Sequence, residues 1–234
     1  MTFNIQSTRD FVKRNFNPYL MADVIKKNEA VIIGLNEVRG DGPDEFYVDQ
    51  TKIIAESLGF KYYFFGPAIY VPSGGPYGNA LISKFPIVSS KIIPILDPIK
   101  KDECCYYESR AIIVSQIDVL GKIINVVVTH MGLARGEQIN AVEEVTKIIT
   151  TIDGPTILMG DFNMKPNDEL IKRIGSIIND TSNLVKEPLL TFPSIKPNRK
   201  IDYIFTKNID VITASIPNIV ASDHFPYVCK IRID

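Results

Sequence analysis

The chain has 234 residues, 45% of them hydrophobic and 23% charged, with a formal net charge of −1. A chain of this size can bury roughly 70% of its extended surface in one core, and its near-zero charge excludes a nucleic-acid binder that relies on long-range attraction. No run approaches the ~18 apolar residues of a membrane span, and residues 1–10 lack the basic start and apolar stretch of a secretion signal. The expectation is one soluble, cytoplasmic domain covering residues 1–234, with no obligate protein partner. Cys104, Cys105 and Cys229 have neither zinc-ligand spacing nor an even count, and are read as reduced, structural thiols. Only His130 and His224 supply a group that titrates near neutrality.

In chain order, short apolar and β-branched runs predict strands over 30–35, 62–65, 79–82, 111–117, 123–129, 156–159, 201–206 and 227–233. Helical periodicity marks 19–28 (Leu20, Val24, Ile25), 50–58 (Ile53, Ile54, Leu58) and 138–152 (Ile139, Val142, Val145, Ile148, Ile149). Residues 74–77 and 195–200 read as surface loops. The order is β-α-β-α, then neighbouring strands from 79 to 129, then a helix and further strands. Neighbouring strands imply antiparallel pairing, so two mixed sheets packed face to face with helices outside fit better than a barrel.

Polar groups recur where these strands end. The run 30–35 leads into Asn36 and Glu37, 124–128 into Thr129 and His130, and 156–159 into Gly160, Asp161, Phe162 and Asn163. Asp202 opens another strand, and Ser222, Asp223 and His224 precede the last one. A polar residue at the mouth of an apolar strand is tolerated when it faces water, a metal or a ligand. Each has a bland alternative: Asp161 as a helix cap, Asn163 in an Asx turn, Glu37 paired with Arg39, His130 as a core histidine. Together, carboxylates, imidazoles and carboxamides suit a hard divalent ion, Mg²⁺ or Mn²⁺, and attack of water on a phosphoester.

These residues resemble the endonuclease/exonuclease/phosphatase superfamily along the whole chain. Thr2-Phe3-Asn4-Ile5 is similar to its opening strand, Leu35-Asn36-Glu37-Val38 to its metal-binding Glu motif, and 77–87 to its Gly-Asn strand ending in Ser-Lys-x-Pro-Ile. Val128-Thr129-His130, Met159-Gly160-Asp161-Phe162-Asn163, Ile201-Asp202-Tyr203-Ile204 and Ser222-Asp223-His224-Phe225-Pro226 complete the series. The resemblance implies an α/β fold, a four-layer α/β/β/α sandwich of two mixed sheets. It implies Glu37 on Mg²⁺ (or Mn²⁺) with Asp223 and Asn4 as partners, Asp161 aligning or deprotonating water, and Asn163 holding the scissile phosphate. His224, oriented by Asp202, would touch a phosphate oxygen, with His130 on the opposite side. Tyr77, Asn79 and Arg110 are expected against the substrate.

Apurinic endonucleases of the superfamily carry a Gln-Glu-Thr-Lys motif, a Tyr where this chain has His130, and usually a Trp at the lesion pocket. This chain has no Trp, which disfavours abasic-site repair, and Gln6 in place of an acid argues against a second tightly held metal. The leading expectation is a phosphodiesterase acting on DNA or RNA, with Arg110, Arg135, Lys196, Arg199 and Lys200 as cations near the site and Tyr70, Tyr77, Tyr106 and Tyr107 available to stack on bases. The alternatives are a phospholipid or sugar/inositol-phosphate hydrolase, with 68–72 as an apolar surface loop, and a catalytically silent phosphate-binding scaffold.

Overall fold

In a computed structural model that describes residues 1–102 and 104–233, the apolar runs lie at the centre of two stacked sheets. The first sheet joins β1 (Thr2–Asn4), β2 (Ile32–Arg39), β3 (Tyr62–Val71) and β4 (Gly75–Ser83) in the order β1-β2-β4-β3. The second takes β5 (Ile87–Ile95), β6 (Arg110–Val119), β7 (Lys122–His130), β8 (Thr156–Asp161), β9 (Asn179–Asp180) and β10 (Asp202–Lys207), ordered β5-β6-β7-β8-β10-β9. A hairpin of β11 (Asp210–Ser215) and β12 (Val228–Arg232) closes the chain, and Tyr227 bridges it to Thr2. The β1/β2 and β7/β8 pairs are parallel; the other strand pairings are antiparallel. Helices α1 (Pro18–Lys27) and α2 (Gln50–Leu58) cover the first sheet, and α3 (Arg135–Thr151) and α4 (Glu169–Gly175) the second.

Side-chain alternation explains why these strands read as continuous apolar runs: both faces are buried. On β2, Ile33 and Leu35 pack with Met21, Ile25 and Ile54 of the helices, while Ile32 faces the other sheet. On β7 and β8, Val126, Val128, Ile157 and Met159 fill the space between the sheets, and Val127 and Leu158 meet Ala141, Val142 and Val145 of α3. Helix starts follow local chemistry. Asn17 accepts the N–H of Leu20 ahead of Pro18, and Asp49 and Asp168 accept N–H groups at the starts of α2 and α4.

Three expectations need correction. Residues 75–77 belong to β4, because Gly75, Pro76 and Tyr77 pair with Val71, Tyr70 and Ile69 in a long hairpin that overrides the local Gly/Pro signal. For the same reason Ala68, Ile69, Tyr70 and Val71 lie in β3, and only Pro72 of the supposed apolar loop lies beyond it. Cys104 and Cys105 are free and exposed, so they take no part in packing; Cys229 is free and half-buried.

Candidate active site

Strand register assembles the centre. His130 is the parallel partner of Asp161, and Asp161 the antiparallel partner of Asp202. One row across β7, β8 and β10 therefore presents an imidazole and two carboxylates at the same level. His224, on the segment before β12, lies over this row, its Nε2 3.6 Å from Asp161 Oδ2; His130 Nε2 lies at the same 3.6 Å. Gly160 makes the row possible, since a Cβ there would fall 1.8 Å from the Thr129 carbonyl oxygen.

The first sheet contributes through two distorted segments. The β2/β4 register shifts between Leu35 and Val38, and Glu37 within that bulge adopts φ 58°. Bulges re-aim side chains, and positive φ outside glycine costs about 1–3 kcal/mol, so the local fold holds Glu37 at the site against its intrinsic preference. After β1, Gln6, Ser7 and Thr8 all have positive φ (45°, 53°, 61°), a left-handed turn secured by Gln50 Nε2 on the Ser7 carbonyl at 2.8 Å. Asn163 at φ 53° is the corresponding outlier beyond β8.

The two histidines differ in charge. His224 Nδ1 lies 2.9 Å from Asp202 Oδ2; burial disfavours the charged ring, but Asp202 and then Asp161 outweigh it and push the pKa up to about 10. His130 is held well below its usual pKa by burial, then by Arg110 and His224, and stays neutral. Arg110 Nη1 lies 2.9 Å from His130 Nδ1 and 2.7 Å from Glu108 Oε1. A guanidinium only donates, so His130 Nδ1 accepts and the ring proton sits on Nε2. Next to it, at 3.3 Å, is Asn163 Nδ2, one of whose hydrogens goes to the Met131 carbonyl. His130 Nε2–H and Asn163 Nδ2–H are thus neighbouring donors that cannot satisfy each other. Asp161 has its carboxyl pKa raised by burial and then by Asp202; its Oδ1 takes the Asn163 N–H and its Oδ2 the Asn4 amide at 3.1 Å.

The oxygen-rich corner is beside Glu37. Burial, and to a lesser extent Asp223, raises its pKa, opposed by the hydrogen bond from Asn4 Nδ2 at 2.9 Å. Asp223 accepts from Gln6 Nε2 at 3.2 Å, and the buried Gln6 Oε1 has no hydrogen-bond partner. Two carboxylates near enough for Asp223 to raise the Glu37 pKa, and the orphaned oxygen of the amide that bonds Asp223, form a hard donor set that fits a divalent cation. Asp161, Asp202 and His224 also bring ligand atoms within 4.8 Å of one another.

The remaining expected residues do more specific work. Asn79 is buried and bonds Asn36 and the Ala111 carbonyl, so it ties the sheets together and is not free for a ligand. Arg110 commits Nη1 to Glu108 and His130 while its buried Nε is left without a hydrogen-bond partner, and Asn4 turns its nitrogen to the two carboxylates and its oxygen to the Gln6 N–H. Burial, then Glu37 and Glu108, keeps the Tyr77 hydroxyl protonated. Sequence reasoning missed Glu108 and the part played by Asn36, which donates to Asn79 Oδ1 and the Thr129 carbonyl and accepts the Asp161 N–H. Arg135 stands apart, paired with Asp168 and Glu169 on α3 and α4.

Fold and centre together define a hydrolase of phosphoesters built on a two-sheet sandwich. The match is to the endonuclease/exonuclease/phosphatase family over residues 1–224, and the chain belongs to that family, whose members are phosphoester hydrolases generally dependent on divalent metals. It is 29% identical over 140 residues to Protein cwh43 of Schizosaccharomyces pombe, spanning 59% of this chain but only 13% of that protein. An endonuclease/exonuclease/phosphatase from Beutenbergia cavernae superposes with a TM-score of 0.78 at 22% identity, covering 99% of this chain and 70% of that one. The Bacteroides thetaiotaomicron mannosyl-6-phosphatase Bt3783 superposes with a TM-score of 0.77 at 15% identity, covering 99% and 98%. Among the described residues no helix is long and apolar enough to cross a membrane.

Proposed function

We propose that the protein is a Mg²⁺- or Mn²⁺-dependent phosphodiesterase that cuts nucleic acid by attack of water on phosphorus. The observation that carries the phosphoryl assignment is the pair of adjacent donors on His130 Nε2 and Asn163 Nδ2, which lack a common acceptor among the described residues and suit phosphoryl oxygens. Asp161 orients the attacking water and takes its proton as the new P–O bond forms and the ester P–O bond breaks. The His224 imidazolium, held by Asp202, faces the same carboxylate and donates to an equatorial oxygen as negative charge builds there. Glu37 and Asp223, with the Gln6 amide oxygen, would hold the ion, and Asn4 bridges Glu37 to Asp161. When bound, the ion supplies Lewis-acid stabilisation of phosphoryl charge.

Nucleic acid is favoured by Tyr70 and Tyr106, exposed 64% and 62%, which offer flat faces to bases. A second reading is hydrolysis of a sugar phosphate, favoured by the superposition on an enzyme described as a mannosyl-6-phosphatase. The deciding experiment is a panel of single- and double-stranded DNA, RNA, sphingomyelin, inositol phosphates and hexose 6-phosphates, assayed with Mg²⁺, Mn²⁺ or chelator. Turnover of DNA or RNA that chelator abolishes is expected; turnover of a monoester alone moves the assignment to the second reading, and activity indifferent to chelator removes the metal.

A further inference from the structure

A groove of about 410 Å³ lies between residues 165–167 and 182–200. That volume lies within the ordinary range for small-molecule sites. Its floor is apolar, with Pro166, Val185, Leu189 and Leu190; its rim carries Lys165, Lys186 and Arg199. These three side chains are exposed, and among the described residues none forms an ion pair. A fourth base, Lys200, is buried and spent on Asp180, and the one acid of the lining is Glu187. On a chain of net charge −1, this is a local cationic rim over an apolar floor.

Chain and packing link the groove to the reaction centre in two places. Lys165 follows Asn163 by two residues. The Phe192 ring packs 4.8 Å from the His224 ring, and the Arg199 guanidinium lies 5.3 Å from the centroid of Phe192. One aromatic ring therefore separates the imidazole that faces the scissile phosphate from the nearest groove cation. Asn198, on the same rim, adds an amide able to pair with a base edge.

We propose that this groove is a nucleotide subsite: it receives the base and sugar of the residue flanking the scissile phosphodiester on its apolar floor, and that residue's far phosphate among Lys165, Lys186 and Arg199. The assignment rests on the phosphodiesterase reading and deepens it. Apolar area is matched by the faces of the base, and three cations without a carboxylate partner among the described residues are matched by a phosphate whose charge the scissile group does not supply. The subsite uses binding remote from the reacting atoms to position the ester, so its effect should depend on substrate length.

The test compares kcat/KM for bis(4-nitrophenyl) phosphate, which fills only the reaction centre, with that for a deoxytrinucleotide and for an abasic trimer of equal charge. In the wild type the ratio of trinucleotide to aryl diester should be high; it should fall about tenfold in R199A, which loses one cation–phosphate contact, and at least about tenfold in K165A/K186A, which loses two. The difference should shrink in high salt. A ratio unmoved by both variants overturns the subsite, and an abasic trimer as good as the trinucleotide overturns the base-binding floor. Failure of the wild type to cut any of the three diesters overturns the phosphodiesterase reading instead. These are solvent-exposed side chains, so thermal midpoints should remain close to wild type.

Discussion

Arg110 Nη1 lies 2.9 Å from Nδ1 of His130, and that contact decides which ring nitrogen bears the proton. Glu108, 2.7 Å from the same guanidinium, holds Arg110 in place, and its own backbone N–H is fixed by Glu137 Oε1 on α3. A permanent cation next to a buried imidazole both keeps the ring neutral and leaves the proton on Nε2, the nitrogen 3.6 Å from Asp161 Oδ2. The arrangement sets His130 apart from His224, which carboxylates on two sides hold protonated.

Arg110 is accordingly a positioning residue, and R110Q should lower kcat about 10- to 100-fold, the usual range for a group that orients a functional imidazole, with little change in KM. Nitrogen NMR of the imidazoles gives an independent readout. The wild type should show His130 as the Nε2–H tautomer, and R110Q a mixture of the two neutral forms. A pure Nε2–H signal in the variant, or a loss of activity confined to KM, would show that Arg110 does not set the tautomer.

Asp161 sits where a carboxylate is least comfortable. Burial and the neighbouring Asp202 both disfavour its charge, which the His224 imidazolium only partly offsets. A site that retains such a group sacrifices stability for reactivity. D161N should therefore lose ~10³-fold or more in kcat, the scale seen when a member of a catalytic constellation is removed, while its thermal midpoint stays at or above wild type. Differential scanning calorimetry alongside turnover separates the two effects; a variant that melts several degrees early would mark Asp161 as structural.

Much of this centre was legible in the sequence because polar residues interrupt apolar runs at the strand ends: Glu37, His130, Asp161, Asp202 and His224 all stand at such breaks. Their placement in one row was not, since it depends on register between strands separated by long stretches of chain, as in His130 with Asp161 and Asp161 with Asp202. The structural bonds of Asn79 and Arg110 were hidden for a similar reason. A carboxamide or guanidinium that is free for a ligand reads the same, residue by residue, as one already bonded to Asn36 or His130. Among the elements, β5 escaped notice because Ser89, Ser90 and Lys91 interrupt its apolar pattern, as suits the edge of the second sheet.

Glu37 and Asp223 raise a question of charge balance that metal binding should answer. Glu37 is disfavoured by burial and then by Asp223, so a cation between them relieves both penalties and stabilises the folded chain by mass action. Mg²⁺ or Mn²⁺ should raise the wild-type thermal midpoint in a concentration-dependent manner. In E37Q that rise should vanish, and half-saturation measured by calorimetric titration should move at least about tenfold upward, the effect expected of losing an anionic ligand. An unchanged midpoint response in E37Q would place the ion elsewhere, with Asp161, Asp202 and His224 the next candidates.

Asn36 is the residue on which both sheets depend. Its Nδ2 donates to Asn79 Oδ1 at 2.8 Å within the first sheet and to the Thr129 carbonyl at 2.9 Å in the second, and its Oδ1 accepts the Asp161 N–H at 3.0 Å. All of these groups are buried, so truncation leaves them without partners at about 1–3 kcal/mol each. N36A should lose at least about 3 kcal/mol, which for a domain of this size is roughly 6–12 °C in thermal midpoint. N36D keeps the acceptor for Asp161 but removes both donations and adds a charge beside that carboxylate, so it should be no more stable than N36A. Because the Asp161 backbone is anchored through this amide, the folded fraction of either variant should also turn over more slowly. A midpoint within 2 °C of wild type, with unaltered kcat, would mean that the sheets hold their spacing without the clamp and that Asp161 is fixed by β7 and β10 alone.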